Sequence, residues 1–99
     1  MNTAEFSNWL LSNGSSKKIA SDIVSRLKRI NYELIESIPS TNIDEQYNID
    51  GCKLLLNSFN RNSSSNRKLL LKSSLPFNKP EIANYKLSLS RYIKHLNNK

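Results

Sequence analysis

The sequence predicts an all-α protein, a compact bundle of four to five helices in a single domain over residues 1–99, and three observations predict it. Apolar residues recur at three- and four-residue spacing along most of the chain. Gly and Pro are scarce, 2 and 3 of 99 residues, which argues against a turn-rich β-sandwich. Ser, Asn and Asp stand just before the periodic stretches, where a helix needs a side chain to cap its free N–H groups. With 37% apolar residues the chain can fill one modest core, and its stability should be about 5 kcal/mol.

The first helix is expected at 2–13. Asn2 can cap it, with Glu5 three positions on completing a capping box. Phe6, Trp9 and Leu10 share one face, and Asn13-Gly14 stops the helix because Gly accepts the left-handed conformation. The longest helix is expected at 16–37, capped by Ser15 or Ser16. Ile19, Ile23, Leu27, Ile30 and Leu34 lie in one apolar arc, flanked by Ala20 and Val24. Lys17, Lys18, Ser21, Ser25, Lys28, Arg29 and Tyr32 fall on the other side, a cationic face rich in hydroxyls. Pro39 ends the helix, since the residue before Pro avoids the helical region.

Residues 40–50 read as a connection with one helical turn at 43–47. A third helix is expected at 50–60, capped by Asp50, with Cys52, Leu55, Leu56 and Phe59 on its inner side. The polar run 60–68 predicts a mobile loop. Leu69–Leu71 fits either a turn of helix or an extended piece tucked on the core. The last helix is expected at 79–97, with Asn78 and Glu81 as capping box and Pro80 in its first turn. Ile82, Tyr85, Leu89, Tyr92, Ile93 and Leu96 share one face; Lys86, Ser90, Arg91 and Lys94 lie away from it.

Several function classes are disfavoured by what the residues do not assemble. No nucleophile, general base and orienting group are spaced together, so the chain is not expected to be an enzyme. There is no Gly-rich phosphate loop and no zinc spacing, so neither cofactor nor metal is expected. His95, the single histidine, reads as an exposed or helix-C-terminal residue, and Cys52 as a buried structural thiol. With one cysteine no internal disulfide can form, which favours a reducing compartment, and there is neither signal peptide nor membrane span. A cytoplasmic location is expected, with no membrane partner.

Charge is the strongest functional pointer. Residues 1–60 carry six Lys/Arg and seven Asp/Glu, whereas residues 61–99 carry nine Lys/Arg and one acid, Glu81. A surplus of this kind also serves solubility. Its concentration in one part of the chain points further, to a polyanionic partner. The Gly14-Ser15-Ser16 turn followed by Lys17 and Lys18 can hold a phosphate between backbone N–H groups, hydroxyls and ammonium groups. Ser25, Lys28 and Arg29 extend that contact along the second helix; Arg61, Arg67 and Lys68 lie in the loop; Lys86, Arg91 and Lys94 supply a second basic face. No helix-turn-helix spacing is evident, so phosphate contact without strong base reading is expected.

Three segments carry a resemblance: Phe6-Ser7-Asn8-Trp9-Leu10, Gly14-Ser15-Ser16-Lys17-Lys18-Ile19-Ala20, and Val24-Ser25-Arg26-Leu27-Lys28-Arg29-Ile30. Together with Tyr85, Leu89, Tyr92-Ile93 and Leu96, they resemble the SAM-like N-terminal, core-binding module of tyrosine recombinases and phage integrases. Similar modules precede the nuclease domains of some restriction-type endonucleases. The resemblance implies a helical bundle clamping one side of double-stranded DNA, through Ser15, Ser16, Lys17, Lys18, Ser25, Lys28 and Arg29. The catalytic half of such enzymes and a counterpart of residues 60–80 are not recognisable, so the resemblance implies binding without cleavage, alone or beside a fused catalytic domain. A different class fits the same composition: a small interaction module, such as a phage- or plasmid-encoded inhibitor, whose basic surface occupies an acidic groove on a protein partner.

Overall fold

In a computed structural model the described residues are 1–60, 68–70 and 73–99, and all their regular structure is helical. Helix α1 spans Thr3–Ser12; Asn2 caps it, its side-chain oxygen accepting the Glu5 N–H at 3.0 Å. The Glu5 carboxylate reaches back to the Asn2 side-chain amide, not to its backbone. Gly14, at φ +98°, turns the chain, and the Ser15 N–H closes the end of α1 on the Leu10 carbonyl.

Helix α2, Lys17–Ser37, is the spine. Ser16 caps it by accepting the Ile19 N–H at 3.2 Å. Ala20, Ile23, Leu27, Ile30 and Leu34 are buried along it, but Ile19 is not: it is 53% exposed. A helical wheel places Ile19 with the apolar arc, yet of the first turn, 17–20, only Ala20 is buried. Phe6 and Leu10 of α1 meet this stripe from one side.

The expected connection at 40–50 is instead mostly a helix, and the third helix expected at 50–60 is confined to the middle of that range. Helix α3, Ile43–Asp50, is capped by Asn42, whose side chain accepts the Glu45 N–H at 2.9 Å. Gly51 (φ +69°) and Cys52 (φ +64°) then break the helix with two successive left-handed residues. Such a conformation costs a non-glycine residue roughly 1 kcal/mol. Complete burial of the Cys52 side chain in the core offsets that cost. Helix α4, Lys53–Asn57, restarts beneath Asp50, whose carboxylate accepts the N–H groups of Lys53 and Leu54 at 3.1 and 3.0 Å.

Lys68–Leu70 form one 3₁₀ turn with Leu69 and Leu70 buried, which resolves the two readings of this stretch in favour of a helical turn. The loop expected at 60–68 falls, apart from Asn60 and the start of that turn, outside the described residues. Helix α5 spans Ile82–Asn97, three residues shorter at its start than expected. No Asn78 side-chain cap forms. Lys79, Ile82 and Ala83 donate to carbonyls three residues back, so the Pro76–Glu81 stretch is a chain of tight turns leading into α5. Helix α5 packs along α2 and touches α1 and α4. Helix α3 is pinned to both long helices: Asn31 accepts the Ile43 N–H at 2.9 Å, and Asp44 accepts the Tyr92 hydroxyl at 2.6 Å.

Candidate nucleic-acid interface

Lys17, Ser21, Val24, Ser25 and Lys28 recur at helical spacing on the side of α2 that faces α1. Helix α1 folds back after a short turn and offers Thr3, Ala4, Ser7 and Leu11. Most of these side chains are small, so the two helices cannot close the space between them. An open groove of about 420 Å³ remains. Its lining mixes hydroxyls (Thr3, Ser7, Ser21, Ser25) with the methyl groups of Ala4, Ala20, Val24 and Leu11 and with two lysines.

The electrostatics of this groove are one-signed. It has no carboxylate in its lining, and among the described residues neither Lys17 nor Lys28 is ion-paired. The first turn of α2 contains no acid, so the partial positive charge of its free N–H groups adds to Lys17. Eleven residues separate the lysines, roughly 16 Å along the axis at 1.5 Å per residue.

The other sequence-predicted site residues are distributed as follows. Ser16 caps α2 through its hydroxyl oxygen, and neither it nor Ser15 lines the groove, so the Gly14–Ser16 turn lies outside that site. Lys18 pairs with Asp22 at 3.5 Å on the outer surface. Arg29 lies half-exposed on the side of α2 toward α5. Its guanidinium donates to the Tyr85 hydroxyl at 2.9 Å and the Ser74 carbonyl at 3.1 Å, lies 5.6 Å from the Tyr85 ring centre, and is 3.9 Å from Glu33. Lys86 donates to the Asn60 side chain at 2.9 Å, while Arg91 and Lys94 stand further along α5. Arg61 and Arg67 lie outside the described residues, and Lys68 begins the 3₁₀ turn. The structure thus joins Lys17, Ser25 and Lys28 in one site and leaves Lys18, Arg29, Lys86, Arg91 and Lys94 out of it.

The α1 wall was missed by sequence reasoning. A faint signal existed: Thr3, Ser7 and Leu11 are spaced at i, i+4, i+8, in a row beside Phe6 and Leu10. His95 was misjudged in the other direction. It stands in the last turn of α5 but is buried, 5% exposed, among the rings of Phe6, Trp9 and Tyr92.

Cys52 is buried, and burial pushes its thiol up to about 12, so it stays protonated and packs as a small apolar side chain. Its S–H points at the Ile43 carbonyl, 3.4 Å away. Among the described residues no group of His, Cys, Asp and Glu is arranged to hold a metal ion. No helix among them is long and apolar enough to cross a membrane. Comparison of the chain with protein-family models, with curated proteins and with solved structures found no match.

Proposed function

We propose that this protein is a non-catalytic DNA-binding module that contacts duplex phosphates through a basic face centred on the α1–α2 groove. One observation carries the reading: two lysines with no ion pair among the described residues flank a row of hydroxyls in a groove whose lining has no carboxylate. Ammonium groups and hydroxyls bind phosphate oxygens, and a carboxylate beside them would repel the strand. The surplus of eight positive charges in residues 61–99 adds a long-range attraction.

The aromatic residues favour duplex over single-stranded nucleic acid. Strand-binding proteins stack bases on exposed rings. Here Phe6, Phe59 and Tyr92 are buried, Trp9 packs on Phe6, Phe77 packs on Phe59, Tyr85 lies under Arg29, and Tyr47 is bonded to Asn97. Tyr32 is exposed, but Glu36 and Glu33 place negative charge near its hydroxyl. In this reading the module works in the cytoplasm, alone or as the N-terminal part of a nuclease or recombinase.

Fluorescence anisotropy with a labelled duplex of arbitrary sequence tests the proposal. Affinity is expected to fall steeply between about 50 and 200 mM salt, with similar values for unrelated sequences. Absence of binding at the lower salt removes the DNA reading. The alternative, an interaction module that inhibits a nucleic-acid-processing protein, draws on the exposed apolar side chains of Ile49 and Leu87. One stoichiometric protein captured after nuclease treatment would favour it.

A further inference from the structure

We propose that His95 is a proton-sensitive latch that holds α1 against α5, so that acidification loosens the α1 wall of the groove; the inference rests on that groove being the binding site.

Helix α1 is a plank with two working faces. Thr3, Ala4, Ser7 and Leu11 line the groove, whereas Glu5, Phe6 and Trp9 lie against His95. The imidazole is enclosed by rings whose centres lie 5.4 to 6.1 Å from its own. Its Nε2 is 3.6 Å from a Glu5 carboxylate oxygen, and its buried Nδ1 has no hydrogen-bond partner among the described residues.

A neutral ring with its proton on Nε2 tolerates this site, because Nδ1 then carries only an unsatisfied lone pair. A second proton must go to Nδ1, as an N–H with no acceptor, in a pocket walled by hydrocarbon. Glu5 faces the ring from α1 and favours the charged form, but Lys99 already holds the same carboxylate oxygen at 2.8 Å and repels the imidazolium. Tyr92, on α5 itself, turns its hydroxyl away to Asp44 of α3, which also binds the Met1 ammonium at 3.1 Å. Burial comes first and Lys99 second in holding His95 below the ordinary histidine value, against the opposing pull of Glu5.

The sign follows. A ring released from the seam takes a proton near pH 6.5. Below that pH the opened form binds more protons than the closed one, so falling pH favours opening, by up to about tenfold in population per pH unit. Above it the latch is fully in place. Added positive charge alone would do the reverse and tighten DNA binding in acid, so the direction of the effect discriminates.

Trp9, the single tryptophan, reports on the seam from 5.4 Å. Its emission is to be followed from pH 8 to 5, alongside affinity for a labelled duplex at constant salt. The expected result is a red shift below about pH 6.5 with a parallel loss of affinity. His95→Phe keeps a ring in the pocket and is expected to flatten both curves. Should that variant not fold, Lys99→Ala serves: it frees Glu5 to stabilise the imidazolium in place and should blunt the Trp9 titration. A silent Trp9 in the wild type, or the same titration in His95→Phe, overturns the latch. A titrating Trp9 with DNA affinity unchanged or rising in acid overturns its coupling to the groove. Loss of DNA binding at every pH, with Trp9 still titrating, removes the DNA reading and leaves the latch standing.

Discussion

Lys28 and Arg29 are adjacent in sequence and opposite in use. On the α1 side of α2, Lys17 and Lys28 extend into a groove with no carboxylate in its lining. On the side toward α5, Arg29 is tied into a network with Glu33, Ser74 and Tyr85. Glu33 is buried and accepts both the hydroxyl (2.5 Å) and the N–H (3.3 Å) of Ser74. That network fastens the stretch after the 3₁₀ turn to the spine. The difference is set one helical turn away. Arg29 has Glu33 and Lys18 has Asp22 at i+4, and both pairs form. Lys17 has Ser21 and Lys28 has Tyr32 at that position, so neither meets an acid on its own helix. A cation with an acid four residues on is paired with it; one without it stays available to a ligand.

The largest effect should come from breaking the inward side. Arg29→Ala removes hydrogen bonds from a charged donor and leaves Glu33 with Ser74 alone, a cost of about 2 kcal/mol. For a domain of this size that lowers the melting temperature by on the order of 10 °C. Circular dichroism would measure it, and DNA affinity of the folded variant should stay within about twofold. Lys28→Ala should do the reverse, moving stability by less than about 0.5 kcal/mol. A thermal loss from Lys28→Ala as large as from Arg29→Ala would erase the distinction between the two sides.

Removing the outward side is the next test. Lys17→Ala combined with Lys28→Ala deletes two phosphate contacts, so the slope of log K against log salt should become shallower by about 1.8. Lys86→Ala combined with Lys94→Ala, on α5, should change that slope less. If the α5 pair dominates, the binding face lies there and not in the groove.

How far these features could be read in advance depended on their range in sequence. The α1 and α2 stripes, their Asn2 and Ser16 caps, and the alignment of Lys17, Ser25 and Lys28 are local, and periodicity exposes them. The break at Gly51–Cys52 was hidden because a left-handed cysteine runs against local preference and is held by core packing. Ile19 was misplaced because a helical wheel records direction but not which positions a neighbour covers. Arg29 was assigned to the interface because its partners Ser74 and Tyr85 lie 45 and 56 residues away, though Glu33 at i+4 was in plain view. The α1 wall and the burial of His95 arise only when α1 packs between α2 and α5, which no single-helix pattern contains.

The smallest effect is the sharpest check on the one-turn rule. Lys18 is 86% exposed, outside the groove that Lys17 lines, and is paired with Asp22 3.5 Å away. An exposed pair of this kind contributes at most about 0.5 kcal/mol, so Asp22→Asn should leave the melting temperature nearly unchanged. It removes a negative charge close to the start of α2 and releases Lys18 to the solvent. If pairing is what withholds a cation from DNA, affinity should rise about twofold and the salt slope should steepen by less than about 0.9, the value of one further phosphate contact. The rise should vanish in Asp22→Asn combined with Lys18→Ala. If it persists there, the gain comes from net charge alone and the i+4 acid does not decide which lysines are free.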